Sequence, residues 1–296
     1  MTPPARLGRR RVAVLGPGRV GTLLATALTR AGHRVVAVAG GSDDARARFT
    51  GALAGARTHA SVADAARDAD LVLVSTPDDA IAAVVSELAV AEAVGEGDLV
   101  VHLAGAHGLA PLRRAALAGA GVAACHPAQT MPAGEGPPDP DAIVGAAWAV
   151  TAAPADRSWA HELVVQLGGE PHDVADADRG LYHAALAVGS NAVAAATALA
   201  RQLLLGARVE DPAAFLGPLA AASTANVLRD GAVAITGPVA RGDLGTIETH
   251  LAILDRDLPH LADDYRRLTR VVLDQVRPSL PADRADAIAR VLGTRS

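Results

Sequence analysis

Arg11-Val-Ala-Val-Leu-Gly16-Pro-Gly18-Arg-Val-Gly21 is the stretch that decides the fold. Val12 to Leu15 is an apolar run of strand length that ends on glycine, and a helical pattern from Val20 to Arg30 follows, stopping at Ala31-Gly32. In a strand–turn–helix of this spacing, Gly16 permits the tight turn and Gly18 lets the backbone approach a diphosphate. Gly21 lets helix and strand pack closely. The helix N-terminus adds free N–H groups and the positive end of its dipole. Gly16, Pro17, Gly18, Arg19, Val20 and Gly21 are therefore the expected dinucleotide-binding residues.

Outward from this motif, apolar runs alternate with helical patterns. Arg34–Ala39, Leu71–Ser75, Leu99–Leu103 and Val122–Cys125 read as strands, with helices over Ala80–Ala91 and Leu109–Leu117. Strands interleaved with helices predict a parallel sheet covered on both faces. Pro132–Pro140 breaks the pattern. Ala146–Thr151 and Pro171–Val174 are predicted strands flanking a helix over Trp159–Gly168. From Asp178 the composition turns to long Ala/Leu-rich helical segments: Arg179–Leu205, Pro212–Arg229, Asp243–Asp257 and Pro259–Val276. The expected fold is α/β, a Rossmann doubly wound parallel sheet followed by an all-helical C-terminal domain. The boundary falls near Asp176, giving domains of residues 1–176 and 177–296.

Composition narrows the function. Half of the 296 residues are apolar, 2% are aromatic, and the net charge is −5, without the basic surface that nucleic-acid binding needs. All 27 basic residues are arginine, so chemistry that requires a lysine amine is excluded. The single Cys125 forms no internal disulfide, which fits a reducing compartment. No signal-peptide pattern is read at the N-terminus and no stretch is expected to span a membrane. The expectation is a cytoplasmic protein acting on a small molecule, with no nucleic-acid or membrane partner and no metal.

The second strand bears on the choice of cofactor. An acid at its end would bond the ribose 2′-hydroxyl of NAD, but Ala39-Gly-Gly-Ser42 stands there, with Arg46 and Arg48 close behind. Ser42 and Arg46 are the candidates for a 2′-phosphate, so NADP(H) is preferred and NAD(H) is possible. Arg46 and Arg48 read equally as solvated helix residues. Thr76-Pro77-Asp78 follows a strand and is expected to face the nicotinamide half, although Asp78 also suits a helix cap.

Several polar residues stand where folding alone does not ask for them. His102, followed by Gly105, ends one strand and is assigned to the cofactor side; Cys125-His126-Pro-Ala-Gln129-Thr130 ends the next. A histidine at a strand's carboxyl end can give a proton to a carbonyl, or simply bond neighbouring backbone. Cys125 reads as a small buried residue. In Tyr182-His183-Ala-Ala-Leu-Ala-Val-Gly-Ser190-Asn191, a helical spacing of about 100° puts His183, Ala187, Ser190, Asn191 and Ala194 on one stripe. That stripe is either a ligand face or a polar helix contact. Thr236-Gly-Pro-Val-Ala-Arg241-Gly-Asp243 enters a helix, with Arg241 suited to a carboxylate or phosphate and Asp243 to an N-cap.

Together Gly16–Gly21, Ser75-Thr-Pro-Asp78, His126-Pro-Ala-Gln-Thr130, Tyr182-His-Ala-Ala185 with Asn191, and Gly237–Asp243 resemble one bacterial family. It joins a Rossmann-like domain to a helical C-terminal domain of unknown function, and the resemblance runs from about Val12 to Leu254. The family is similar to the 6-phosphogluconate-dehydrogenase-like reductases, which include ketopantoate and pyrroline-carboxylate reductases. The resemblance implies an NADPH-dependent reductase of a small 2-oxo acid, ketopantoate first, working as a homodimer. In that reading His183 or His126 supplies the proton, Asn191 holds the carbonyl or orients the acid, and Arg241 clamps the carboxylate. One departure bears on it: the better-known enzymes carry Lys four residues before this Asn, and here Ala187 stands there. The alternatives are an imine or pyrroline-carboxylate reductase, and a sensor that binds NADP without turnover.

Overall fold

The computed structural model describes residues 7–131 and 138–293. The first six residues, and most of the Pro/Gly-rich break after Met131, lie outside them. Contacts divide the chain into two compact units, residues 1–187 and 188–296.

The first unit alternates β1 (Arg11–Leu15), α1 (Arg19–Arg30), β2 (Arg34–Ala39), α2 (Asp43–Ala52), β3 (Arg57–Thr58), α3 (Val62–Arg67), β4 (Leu71–Val74), α4 (Ile81–Val90), β5 (Leu99–His102), α5 (Arg113–Leu117) and β6 (Gly121–Pro127). It continues with β7 (Ala147–Ala152), α6 (Arg157–Gln166), β8 (Glu170–Asp173) and α7 (Arg179–Ala187). The eight strands form one sheet in the order β3-β2-β1-β4-β5-β6-β7-β8. Strands β1 to β6 run parallel, so their carboxyl ends share one edge. β7 is antiparallel to β6, and β8 is parallel to β7. That is a departure from a wholly parallel sheet. A parallel partner needs a crossover helix, and the described residues between Pro127 and Ala147 supply only a short 3₁₀ turn, Pro140–Ile143.

Burial follows the pleat. Val12, Val14, Leu71, Leu73, Val101 and Cys125 face a core shared with Leu24, Trp159 and Leu163 of α1 and α6. Ala13, Leu15, Val72, Val74 and Val100 face the opposite core, against Ala63, Ile81 and Leu88 of α3 and α4. Strands buried on both faces read as unbroken apolar runs, which is why β1, β4 and β5 were plain in the sequence. The predicted helix over Leu109–Leu117 begins as a 3₁₀ turn, Ala110–Leu112, before α5.

The first turns of the long helical run belong to the sheet-bearing unit, because Arg179 and Asp176 tie them to strand ends and loops. A π-helical turn at Val188–Ala192 precedes α8 (Val193–Gly206). It breaks the α-helical spacing that aligned Ser190, Asn191 and Ala194 with His183. The second unit continues with α9 (Pro212–Asp230), α10 (Leu244–Asp257), α11 (Pro259–Val276) and α12 (Ala282–Val291). Its core gathers Ile247, Leu251, Leu273, Val276 and Ile288. Among the described residues, the run Asp176–Gly206 is long and apolar enough to cross a membrane by length and composition. This corrects the expectation that no stretch reaches that mark: Ala, Val and Leu fill most of it, and its charges sit near its ends.

Candidate active site

The glycine turn is built as its spacing predicts. Gly16 has φ +101°, and a Cβ there would meet the carbonyl carbon and oxygen of Ser75 at 2.7 Å. A Cβ on Gly21 would lie 2.4 Å from the Gly16 carbonyl oxygen and 2.5 Å from Ser75 Oγ. Ser75 holds this turn from just after β4, its hydroxyl 2.7 Å from the Gly16 oxygen it donates to. The Cβ direction of Gly18, by contrast, meets nothing within 4 Å. Gly18 caps α1 without a side-chain hydrogen bond, so the helix turns the positive end of its dipole toward the glycine turn. Beside Gly16, Thr76 Oγ1 is buried without a hydrogen-bond partner among the described residues. A backbone cradle, an open helix end and an orphaned hydroxyl together fit the diphosphate of a dinucleotide.

At the end of β2, Gly40 and Gly41 both take positive φ, and Gly41 packs on the Pro17 ring. Arg46 reaches back over this turn, donating to the Gly40 and Gly41 carbonyls at 3.1 and 2.7 Å and pairing with Asp43. Ser42 caps α2 by accepting from the Ala45 N–H. Both residues already have structural partners, the Arg46 guanidinium lying over the Gly40–Gly41 turn. Pro77 and Asp78 open the short 3₁₀ turn after β4, both exposed.

The histidines divide into two kinds. His102 is fully buried; Nε2 bonds the Gly108 carbonyl at 2.7 Å and Nδ1 accepts the Ala104 N–H at 3.1 Å. A carbonyl only accepts and an amide only donates, so these partners fix the neutral Nε2–H tautomer. Burial accordingly pulls its pKa down to about 4. With both nitrogens occupied, His102 shapes the loop after β5 and has none left for a cofactor; the expected ligand role is corrected.

His126 is different. Its Nδ1 lies 2.9 Å from the Tyr182 hydroxyl, the two rings edge to face. His183 approaches from the next position on α7, its ring 6.1 Å from that of His126. Gly105 fits beneath both: a Cβ there would fall 2.5 Å from His183 Cδ2 and 3.0 Å from His126 Nε2. Burial first, then the nearby Arg179 charge, lowers the His126 pKa to about 4. At neutral pH the ring is uncharged, so it does not act as an imidazolium acid. Burial raises the Tyr182 pKa, with Arg179 pulling the other way. Cys125, fully buried, has its thiol pushed up to about 12 and is no nucleophile.

Tyr182 and Arg179 complete the site. In the sequence Tyr182 stands only as part of a helix motif; in the structure it is the partner of His126. Arg179, 1% exposed, lies among neutral acceptors, a feature no sequence pattern signals. Asn191 and Arg241 belong to the second unit. Asn191 is exposed on the π-turn, and Arg241 is exposed in the loop before α10, where Asp243 caps the helix by accepting from Thr246 N–H. That unit also holds a His250–Tyr265 bond of 2.7 Å.

Comparison with known proteins agrees with this architecture. Residues 2–127 match the Rossmann-like domain and residues 146–272 match the domain of unknown function DUF2520. A Bacteroides fragilis protein assigned as an NADP oxidoreductase is similar over 90% of this chain and 98% of its own, with 24% identity and a TM-score of 0.72. An Aspergillus terreus reductive aminase in complex with NADPH and ethyl levulinate is 20% identical over 95% of this chain and 98% of its own, at a TM-score of 0.66. A Myxococcus stipitatus imine reductase in complex with NADP+ is 19% identical over 89% of this chain and 94% of its own, at 0.63. At these identities the likeness is one of fold. No curated protein matches the sequence. Residues 2–127 thus match a Rossmann-like domain and residues 146–272 the DUF2520 domain, the same pairing that the motifs resemble.

Proposed function

We propose that the protein is an NADPH-dependent oxidoreductase that reduces a small 2-oxo acid, with ketopantoate as the first substrate to test. The observation that carries this reading is the Tyr182–His126–His183 cluster, at the same sheet edge as the glycine turn. Ligands of open α/β sheets lie along that edge. When bound, the dinucleotide would be held by Gly16 to Gly21 and Thr76, and would supply a hydride.

The chain's own part is the proton. Tyr182 O–H is the donor best placed to follow charge onto a substrate oxygen, with His126 as its hydrogen-bonded partner and His183 alongside. This revises the choice between His183 and His126: neutral His126 acts through the tyrosine. The hydrogen-bond partners of Arg179 are a hydroxyl and backbone carbonyls, so its charge puts the cluster in a positive field. Such a field favours a developing alkoxide and opposes an iminium cation, which supports the oxo-acid reading over imine reduction. Asn191 and Arg241 remain the proposed carbonyl and carboxylate ligands. The working form is proposed to be a cytoplasmic homodimer built through the helical unit, where Phe215, Leu219 and Leu228 stay exposed on α9.

The test is NADPH oxidation with ketopantoate and, in parallel, pyrroline-carboxylate. Oxidation with ketopantoate supports the proposal, oxidation with pyrroline-carboxylate alone moves the assignment to an imine, and NADPH binding without oxidation of either supports a sensor.

A further inference from the structure

We infer that Arg179 is a positioning residue for the proposed proton donor: its guanidinium fastens the first turn of α7 to β6, β7 and the loop after β5 and so presses Tyr182 against His126. Nε donates to Thr151 Oγ1 at 2.7 Å. Nη2 donates to the Ala124 carbonyl of β6 at 2.6 Å and to the Ala149 carbonyl of β7 at 3.1 Å. Nη1 reaches the Ala104 carbonyl in the loop after β5 at 3.4 Å. Thr151 is itself set by donating to the Val174 carbonyl at 2.6 Å. One turn along the helix, the Tyr182 ring lies 5.9 Å from the guanidinium carbon.

The fork is what this site requires. Arg has five donors in a fixed plane, whereas Lys has one ammonium and cannot span acceptors on two strands and a loop. A buried guanidinium beside neutral carbonyls keeps its full charge. Every acceptor it touches is neutral, so the charge is felt by the neighbouring rings rather than cancelled. The titratable groups around the His126–Tyr182 pair are Arg179 and His183 on α7, His102 at the end of β5, and Cys125 on β6, with Asp176 just before α7. Asp176 is committed to the Leu109 N–H at 2.5 Å. Of these groups Arg179 carries the permanent positive charge. It disfavours a second positive charge on His126, so that the transferable proton resides on the Tyr182 hydroxyl.

The activity arm of the test rests on the reductase reading above; the spectroscopic arm does not. The His126 imidazole is followed by NMR as a function of pH in ring-labelled protein, for wild type, R179K and R179Q. Wild-type His126 is expected to stay neutral down to about pH 5. R179K, which keeps the charge and loses the fork, is expected to leave it neutral while lowering kcat at least tenfold with an unchanged NADPH Kd. R179Q is expected to raise the apparent His126 pKa by about one unit or more. An R179Q titration identical to wild type overturns the charge role, and an R179K enzyme with wild-type kcat overturns the positioning role. If R179Q does not fold, the wild-type titration decides: a His126 that protonates above pH 6 in the folded protein contradicts the inference. A protein that oxidises no NADPH yet shows these titrations keeps Arg179's charge role and sinks only the reductase reading.

Discussion

The Tyr182 hydroxyl lies 2.9 Å from Nδ1 of His126, and the planes of the two rings meet at 86°. The bond joins the end of β6 to the first turns of α7, and it puts an ionisable O–H beside an imidazole that burial keeps neutral.

If that hydroxyl supplies the proton, Tyr182→Phe removes the donor and leaves the ring packing in place. A positioned general acid contributes about 10²–10⁴-fold. The expected result is a kcat lowered by at least about 100-fold, with NADPH affinity unchanged by fluorescence titration. Full activity in the Phe variant would remove Tyr182 from the role.

Gly105 gives a steric test of the same cluster. The methyl of Gly105→Ala would collide with both imidazoles, 2.5 Å from His183 and 3.0 Å from His126. Overpacking of this kind costs about 1–3 kcal/mol. Because His183 is exposed and can swing aside, the expected effect falls mainly on activity: turnover lost with a Tm lowered by only a few degrees. Thermal denaturation and steady-state kinetics on one preparation would check it.

Thr76→Val separates binding from folding. Its hydroxyl is buried without a partner, so removing it is expected to leave the cofactor-free protein as stable as before, or more stable by about 1 kcal/mol. NADPH affinity is expected to fall. A variant that is destabilised and still binds NADPH normally would show that Thr76 serves the fold instead.

The pH dependence of stability follows from the two lowered histidines. His102 and His126 have folded pKa values of about 4, below the ordinary 6.5. Between those values the unfolded chain binds more protons, so stability increases with pH there. Their contribution is complete above about pH 6.5 and is lost progressively as the pH falls toward 4. The share of that loss that His102 contributes is at most about 3 kcal/mol. Denaturant melts at pH 7.5 and 5 are expected to show a lower midpoint at pH 5, and His102→Asn is expected to reduce the difference to the part that His126 contributes.

Much of this was legible in the sequence, and the rest for physical reasons was not. The β1 run, Gly16, Gly18 and Gly21 were readable because a doubly covered strand is continuously apolar and each glycine answers a local steric demand. The stretch from Asp43 to Arg67 gave no such signal: α2 buries little beyond Phe49, and β3 is two residues long with both exposed. His102 and His126 look alike in sequence, each closing a strand. They differ in what surrounds them, backbone in one case and Tyr182 in the other, and that is decided by tertiary packing. The π-turn at Val188–Ala192 has no compositional mark, so the stripe drawn through Asn191 assumed a period the helix does not keep.

The most direct test of the central claim is single-turnover oxidation of NADPH at 340 nm by purified protein with saturating ketopantoate, beside the Tyr182→Phe variant. The account predicts oxidation by the wild type and its near loss in the variant, with both proteins binding NADPH alike. Tight NADPH binding with no oxidation of ketopantoate by the wild type would contradict it.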